Sequence, residues 1–273
     1  MPLWNLRYRG GMLPVALTIA GSDPSGGAGI QADLKTFHQF GIYGEAVITL
    51  VTVQNTRQIS RVELVSGELI RQQIEAVVSD IPPGAAKTGA LGNTEQVEVV
   101  AALATAFTFP LVVDPVIISK HGARLLSTEA ELALKTRLLP RSTLVTPNVA
   151  EAEALCGTTI QDVEDLESAA RRIADLGAGA VLVKGGHLEG EPIDVLYYEG
   201  EIERIPGARV RTRHTHGTGC TYSAAITALL AQGVGISAAV HRGKAFIQKA
   251  IATAPGLGQG AGPVNHFANT GQY

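Results

Sequence analysis

The fold is decided by the stretch Val15-Ala-Leu-Thr-Ile-Ala-Gly-Ser-Asp-Pro-Ser-Gly-Gly-Ala-Gly-Ile-Gln-Ala-Asp-Leu-Lys-Thr-Phe-His-Gln-Phe40 near the start of the chain. Its first six residues, Val15 to Ala20, form an apolar run that predicts a strand, and Gly29 to Phe40 has helical spacing. A second strand is predicted from Glu45 to Val53. A strand, a helix and another strand in this order predict a parallel α/β unit.

The same alternation of short apolar runs and longer Ala/Leu/Glu-rich runs continues along the chain. The further predicted strands are Ala85–Thr88, Leu111–Asp114, Leu144–Thr146 and Val181–Lys184. The further predicted helices are Thr94–Thr105, Thr128–Arg137, Ala150–Cys156 and Glu164–Leu176. The strand runs are almost continuously apolar, as in strands that are covered on both faces. Next, Asp194–Tyr198 and Glu201–Ile205 predict an antiparallel hairpin at the sheet edge, and Thr221–Gln232 predicts a long Ala-rich helix.

Composition excludes several classes of partner. The chain has 273 residues, 45% hydrophobic and 17% charged, with a formal net charge of −3. A small negative net charge of this kind does not predict binding to nucleic acid or to an anionic membrane surface. The two cysteines, Cys156 and Cys220, lack metal-ligand spacing, and they favour a reducing, cytoplasmic setting. We expect residues 1–12 to be a disordered extension and residues 13–273 to form a single domain.

The segment His216-Gly-Thr-Gly-Cys-Thr221 predicts a phosphate site. A Gly-x-Gly turn runs directly into a helix-forming run, and free backbone N–H groups at a helix start bind anions. Such a cradle, formed by Gly217, Thr218 and Gly219, could stabilise the charge that develops during phosphoryl transfer. The same pattern is also common as an ordinary turn.

Cys220 falls where this helix begins, and that position lowers the pKa of a thiol. A thiolate there could accept the proton of a substrate hydroxyl. Bound phosphates would shift the pKa of the thiol in the other direction, so its net direction cannot be read from the sequence. Cys220 could equally pack as a small hydrophobic residue.

The loop between the first strand and its helix, residues 20–33, is polar and rich in glycine. Loops at the carboxyl ends of parallel strands bind ligands in open α/β sheets. Gly27 to Ala32 also satisfies G-x-G-x-x-A, which raises an oxidoreductase as an alternative. The second predicted strand runs into Gln54-Asn55, however, and offers no acidic residue for a ribose. The chain contains no Walker-type G-x-x-x-x-G-K-[ST], so ATP would bind outside the P-loop class.

Polar residues end three other predicted strands. Asp114 could face Mg²⁺ or its water shell, and Asn148 and Glu151 stand together at a helix start. Lys184 could reach a phosphate oxygen. The alternatives are a turn former for Asp114, helix caps for Asn148 and Glu151, and a surface charge for Lys184.

Six motifs in sequence order carry a resemblance to a known family. They are Ala16–Phe37, Val53–Thr56, Val113–Val116, Thr146–Asn148, Val183–His187 and Thr215–Thr221. Together they closely resemble the hydroxymethylpyrimidine and phosphomethylpyrimidine kinases of thiamine biosynthesis, which belong to the ribokinase-like superfamily. The resemblance implies a three-layer α/β/α sandwich with a mostly parallel central sheet and a small edge hairpin. It also implies ATP and Mg²⁺ as cofactors and a homodimer.

The same resemblance implies roles for individual residues. Gly21, Asp33 and Gln54 match pyrimidine-binding positions, with Gln54 on the aminopyrimidine edge. The anion hole of the family matches Gly217, Thr218 and Gly219, and its catalytic base matches Cys220. Its ATP and phosphate contacts match Lys184, Asn148 and Thr221. Its residues near Mg²⁺ match Asp114 and Glu151. The implied reaction phosphorylates 4-amino-5-hydroxymethyl-2-methylpyrimidine and then its monophosphate. The alternatives are a pyridoxal kinase on the same scaffold and a non-catalytic pyrimidine-binding regulator.

Overall fold

A computed structural model of the protein describes residues 13–117, 124–186, 188 and 190–269, so the predicted extension at residues 1–12 lies outside it. The described residues form a nine-stranded sheet in the order β3-β2-β1-β4-β5-β6-β7-β8-β9. The strands are β1 (Val15–Ser22), β2 (Tyr43–Gln54), β3 (Ile59–Leu64), β4 (Ala85–Thr88), β5 (Leu111–Val113), β6 (Leu144–Val145), β7 (Ala180–Val183), β8 (Asp194–Tyr198) and β9 (Glu201–Ile205). Neighbouring strands from β2 to β7 pair in parallel, while β3, β8 and β9 pair antiparallel at the two edges.

Helices cover both faces of this sheet. They are α1 (Gly29–Gln39), α2 (Gly67–Asp80), α3 (Thr94–Ala104), α4 (Thr128–Ala133), α5 (Val149–Cys156), α6 (Val163–Ala174), α7 (Thr218–Ala231) and α8 (Ile236–Ala252). Along β1 the side chains alternate between two cores: Leu17 and Ile19 pack with α2 to α6, and Ala16 packs with α1, α7 and α8. The predicted three-layer sandwich with its edge hairpin is therefore confirmed.

Aromatic packing joins the first helix to the last. Phe37 and Phe40, at the end of α1, are fully buried. The ring of Phe40 meets that of Phe246 on α8 edge to face, with centroids 5.0 Å apart. This contact fixes α1 and α8 on the same face of the sheet as α7, which lies between them in the second core.

Two predictions of helix bounds are wrong. Helix α7 begins at Thr218 rather than Thr221, because the left-handed Gly217 already serves as its N-cap. The predicted helix Thr128–Arg137 is regular only to Ala133 and continues as a π turn and a 3₁₀ turn, Leu139–Arg141, that contains Pro140. Proline has no N–H to continue a helical ladder, which accounts for the end.

Three elements have no counterpart in the sequence prediction: the edge strand β3, the helix α2 and the helix α8. Every residue of β3 is at least partly exposed, so it lacks the apolar run that marks a buried strand. In α2, only Gly67, Ile70 and Ile74 are fully buried. None of the described helices combines the length and the hydropathy that a membrane span requires.

An ion pair lies entirely inside the molecule. Lys87 on β4 and Asp33 on α1 are both 0% exposed, and Lys87 Nζ lies 2.7 Å from Asp33 Oδ1. Thr18 Oγ1 donates to the other carboxylate oxygen at 2.7 Å. Burial lowers the pKa of Lys87, but the nearby negative charges, led by that of Asp33, together outweigh burial and hold the pKa above its ordinary value. Each charge depends on the other, because removing one would leave the remaining charge buried without a partner of opposite sign.

We therefore expect Lys87→Met to lower the free energy of unfolding by about 3 to 5 kcal/mol, measured by urea denaturation. Arg61→Met serves as the control, because Arg61 pairs with Glu63 on the exposed edge and should cost less than about 1 kcal/mol. A Lys87→Met protein as stable as the control variant would contradict this account of the buried pair.

Candidate active site

Two glycine loops meet at the carboxyl ends of the parallel strands. Gly217 has φ 75°, a left-handed conformation that favours glycine, and a Cβ there would collide with the carbonyl of Gly27. Gly29 has φ 57°, and a Cβ on it would collide with the carbonyl of Gly21. The predicted phosphate loop therefore rests directly on the first loop, which itself is folded back onto the end of β1.

The start of α7 is accessible at this junction. Gly217, Thr218, Gly219 and Cys220 are all partly exposed, whereas the ten residues from Thr221 to Leu230 are buried. The first N–H groups of a helix have no acceptor within the helix, and the helix dipole adds partial positive charge there. The sequence prediction that a Gly-x-Gly turn opens into a helix is confirmed, and the earlier start places Gly219 and Cys220 in the first turn.

Lys184 and Asp114 flank that first turn. Lys184 Nζ lies 3.0 Å from Asp114 Oδ1, and a Cβ on Gly219 would come within 3.3 Å of the same nitrogen. Thr146 and Ser223 also donate to the Asp114 carboxylate, each at 3.2 Å. Burial raises the pKa of Asp114, but the ammonium groups of Lys184 and Lys87 outweigh it and hold the pKa below its usual value. Lys184 is thus a positioned charge beside the helix start rather than a free surface lysine.

Asn148 and Glu151 form a capping box at the start of α5. Asn148 Oδ1 accepts from the Glu151 backbone N–H at 3.0 Å, and Glu151 Oε2 accepts from the Asn148 N–H at 2.8 Å. The helix-cap alternative is therefore confirmed for both residues. Burial, opposed by Lys184, raises the pKa of Glu151 to about 7, and the charge of Asp114 adds to the rise. That dependence indicates that the two carboxyl groups share one neighbourhood around Lys184.

Cys220 is a free thiol at the first turn of α7. Loss of hydration raises its pKa to about 12, opposed by the charge of Lys87 and reinforced by the charges of Asp33 and Asp114. The sequence left the direction of this shift open, and the structure gives it as upward. At neutral pH the resting side chain is protonated.

The three predicted pyrimidine-binding residues occupy different environments. Gln54, at the end of β2, is partly exposed and lies 3.2 Å from His216 through its side-chain amide. Gly21 packs against Leu50, whose side chain would meet a Cβ at 2.5 Å. Asp33 lies beneath the site with both carboxylate oxygens engaged by Lys87 and Thr18. The geometry therefore brings Gln54 toward the loop junction and leaves Asp33 as a buried support.

Several residues of this region were not predicted as site residues. They are the buried polar side chains of Lys87, Asp23, Ser223, His216 and His266. The signal for Lys87 was available: a lysine inside the apolar run Ala85–Thr88 needs a partner when that run is buried. The others contact partners that are far away in sequence, such as His216 and Asp23, which are 193 positions apart.

The fold and this site define a kinase of the ribokinase-like α/β class, in which a Gly-x-Gly turn opens a helix and no Walker motif is present. The sequence model described as Phosphomethylpyrimidine kinase matches residues 23–265, and the chain belongs to that family.

Individual relatives agree with this assignment. The hydroxymethylpyrimidine/phosphomethylpyrimidine kinase of Bacillus subtilis is 46% identical over 256 residues, 93% of this chain and 94% of the relative. The phosphomethylpyrimidine kinase structure from Clostridium difficile is 44% identical with a TM-score of 0.78, covering 88% of this chain and all (100%) of that one. An ADP complex of Bacillus subtilis pyridoxal kinase is 37% identical with a TM-score of 0.87, covering 94% and 98%.

The buried imidazole of His266 gives this site a pH dependence. Its Nε2 lies 3.2 Å from the hydroxyl of Thr221 on α7. Burial lowers the pKa of His266 from its ordinary value of 6.5 to about 4, and the charges of Lys35 and His216 act in the same direction. Between pH 6.5 and pH 4, His266 is protonated in the unfolded chain but neutral in the folded protein. The free energy of unfolding therefore decreases as the pH falls through this range.

We expect His266→Gln to remove that loss, which is on the order of 3 kcal/mol between pH 6.5 and pH 4. The measurement is the wild-type minus variant difference in free energy of unfolding at each pH. Subtracting the two curves removes the effects of Glu45 and Glu151, which are the same in both proteins. Their pKa values of about 7 make the free energy of unfolding increase as the pH falls, opposite to the effect of His266. Parallel pH curves for the two proteins would rule out a neutral buried His266.

Proposed function

We propose that this protein uses ATP to phosphorylate 4-amino-5-hydroxymethyl-2-methylpyrimidine and then its monophosphate, in thiamine biosynthesis. The observation that carries the proposal is the partly exposed first turn of α7, with Lys184 beside Gly219 and a thiol at Cys220. Membership of the phosphomethylpyrimidine kinase family supports the same substrate class.

The proposed roles follow from charge and position. Backbone N–H groups of Gly217 to Gly219 hold the transferred phosphoryl group, and they are fixed before the reaction begins. Lys184 and the amide of Asn148 are assigned to the ATP side of the site. Thr221, the third predicted nucleotide contact, is 0% exposed and its hydroxyl lies 3.2 Å from His266 Nε2, so its role would be to support the first turn of α7 from below. Lys184 Nζ is already held by Asp114, so its ammonium need not be ordered when the nucleotide arrives.

Cys220 is the proposed acceptor of the substrate hydroxyl proton. A phosphoryl-transfer transition state is loose, so the hydroxyl keeps its proton until late in the transfer. A thiol with a pKa of about 12 is rarely ionised at neutral pH, but its thiolate is a strong base. Lys87, below the thiol, is the cation that favours this thiolate.

Mg²⁺ is the proposed metal cofactor. Asp114 and Glu151 supply hard oxygen donors of the kind this ion prefers, and both already carry hydrogen bonds from the protein. No group of three or more potential ligand side chains occurs in the described part of the chain. These donors therefore fit an ion that keeps its waters and the nucleotide phosphates as ligands, and its chemistry would be to neutralise phosphate charge.

Pyridoxal is the second candidate substrate, because a neighbour with a TM-score of 0.87 is a pyridoxal kinase. The pyrimidine is favoured by the family match and by the Gln54 amide, which offers a donor and an acceptor side by side. Parallel assays of the two alcohols separate the candidates.

We also propose a cytoplasmic homodimer. The sheet edge formed by β2 and β3 exposes large apolar side chains, namely Tyr43, Val51, Val53, Val62 and Leu64. An exposed apolar sheet edge of this kind is a surface that a second copy of the chain can cover. The two free thiols suit a reducing compartment.

The test of the proposed function is ADP release with the hydroxymethylpyrimidine as substrate. We expect wild-type turnover, and a Cys220→Ala variant whose kcat falls by about 10² to 10⁴ with little change in KM, because general base catalysis is lost. Cys156→Ala is the matched control, since Cys156 lies at the far end of α5 and bonds Thr158 locally.

Full activity of the Cys220→Ala enzyme would remove the base assignment while leaving the kinase proposal intact. Absence of ADP release by the wild type with either alcohol, together with retained pyrimidine binding, would favour the non-catalytic regulator.

A further inference from the structure

The hydroxyl of Ser223 connects helix α7 to the carboxylate that follows β5. Ser223 Oγ lies 3.2 Å from Asp114 Oδ2 and 3.1 Å from the carbonyl oxygen of Cys220, one turn earlier in the same helix. Ser223 is 1% exposed and Asp114 is 2% exposed. The contact between the helix and the carboxylate is therefore shielded from water.

The Ser223 hydroxyl has two possible acceptors but only one hydrogen. The Cys220 carbonyl lies inside α7, where the N–H group four residues later can satisfy it. The Asp114 carboxylate is ionised beside the Lys184 ammonium. A hydrogen bond to a charged acceptor is roughly twice as strong as one to a neutral acceptor. The hydrogen of Ser223 is therefore donated to Asp114 Oδ2.

The two carboxylate oxygens of Asp114 are held differently. Oδ1 accepts from Lys184 Nζ at 3.0 Å and from Thr146 Oγ1 at 3.2 Å. Oδ2 accepts from Ser223, and no other side chain in the described ranges donates to it. Loss of the Thr146 hydroxyl would leave Lys184 on Oδ1, whereas loss of the Ser223 hydroxyl would leave Oδ2 without a donor. Ser223 therefore fixes the direction of Oδ2.

Oδ2 is also the carboxylate oxygen nearer to the first turn of α7. A Cβ on Gly219 would lie 3.8 Å from Asp114 Oδ2 and 3.3 Å from Lys184 Nζ. A phosphate bound at the free N–H groups of this turn would bring a second negative charge close to the carboxylate, and the two charges would repel each other. A cation that carries the phosphates removes this repulsion. Ser223 uses one lone pair of Oδ2 and leaves another for such a cation or its water.

We propose that Ser223 is a positioning residue that holds Asp114 Oδ2 beside Gly219, so that the site binds a nucleotide with Mg²⁺ more tightly than the nucleotide alone. The inference rests on the proposed function, because it takes the nucleotide phosphates to bind at the first turn of α7. Ser223 and Gly219 lie on one helix, so the contact also fixes the distance between the carboxylate and the phosphate site. Mg²⁺ demands near-ideal octahedral geometry and tolerates little displacement of a nearby oxygen donor.

The test measures the dissociation constant of a non-hydrolysable ATP analogue by calorimetry, once with Mg²⁺ and once with EDTA. The Mg²⁺ gain is the EDTA value divided by the Mg²⁺ value. We expect the gain to fall at least about fivefold in Ser223→Ala, because one hydrogen bond to a charged group is lost, while the affinity in EDTA does not fall. Alanine is a strong helix former, so this variant should fold. A merely structural role would lower both affinities together.

Two further variants test the assignment to this hydroxyl and this oxygen. Thr227→Val is the matched control, since Thr227 is fully buried one turn further along α7 and donates to the Ser223 carbonyl of its own helix at 2.8 Å. Its Mg²⁺ gain should equal that of the wild type. Thr146→Val removes a donor from Oδ1 but leaves Lys184 there, so we expect a smaller loss than in Ser223→Ala.

A folded Ser223→Ala protein with the wild-type Mg²⁺ gain would overturn the inference, and so would a Thr146→Val protein with the larger loss. In either case, ADP release by the wild type with the hydroxymethylpyrimidine would still support the proposed function. A wild type that binds no nucleotide would overturn both.

Discussion

The site depends on a backbone contact that only glycine permits. Gly217 touches the carbonyl of Gly27, and a side chain at either the phosphate loop or the adjacent Gly29 would separate the two loops. This contact sets where α7 begins, and so where its first free N–H groups lie. It also brings His216, the residue before Gly217, against Asp23 of the first loop. The proposed phosphate site and Gln54, the proposed pyrimidine contact, therefore lie at the same junction.

Two ion pairs lie around that junction. Lys87 and Asp33 lie below the first turn of α7, and Lys184 and Asp114 lie beside it. Each lysine is held by a carboxylate, so neither adds an unpaired buried charge to the resting protein. The first turn of α7 thus has cations at hand without depending on flexible surface side chains. Burial raises the pKa of the Cys220 thiol at this turn; the charge of Lys87 opposes the rise, and the charges of Asp33 and Asp114 add to it.

Much of the fold could be predicted from sequence because its signals are local. The apolar runs of β1, β4 and β7 and the hairpin of β8 and β9 each announce a strand within a few residues. The exposed strand β3 and the helices α2 and α8 were missed, since β3 has no buried side chain and α2 has only a narrow apolar face.

Some residues of the candidate site could likewise be predicted from local sequence, and others could not. The Gly-x-Gly start of α7 and the strand-end positions of Asp114 and Lys184 are visible in local sequence. The partner of Lys87 is 54 residues away, and that of His216 is 193 residues away, so only the folded chain brings them together. The pKa of Cys220 depends first on its burial and then on charges from β4, α1 and the residue after β5, and no local sequence pattern contains these together. Sequence therefore indicates which residues matter, and the tertiary structure decides their state.

The most direct measurement is an amide ¹H–¹⁵N spectrum of the protein titrated with a non-hydrolysable ATP analogue and Mg²⁺. If the first turn of α7 holds the transferred phosphoryl group, the Gly219 and Cys220 amide signals will shift strongly. The Ile236 amide, at the start of α8, will not shift and serves as the reference. Saturable nucleotide binding that leaves the Gly219 and Cys220 signals in place would contradict the account.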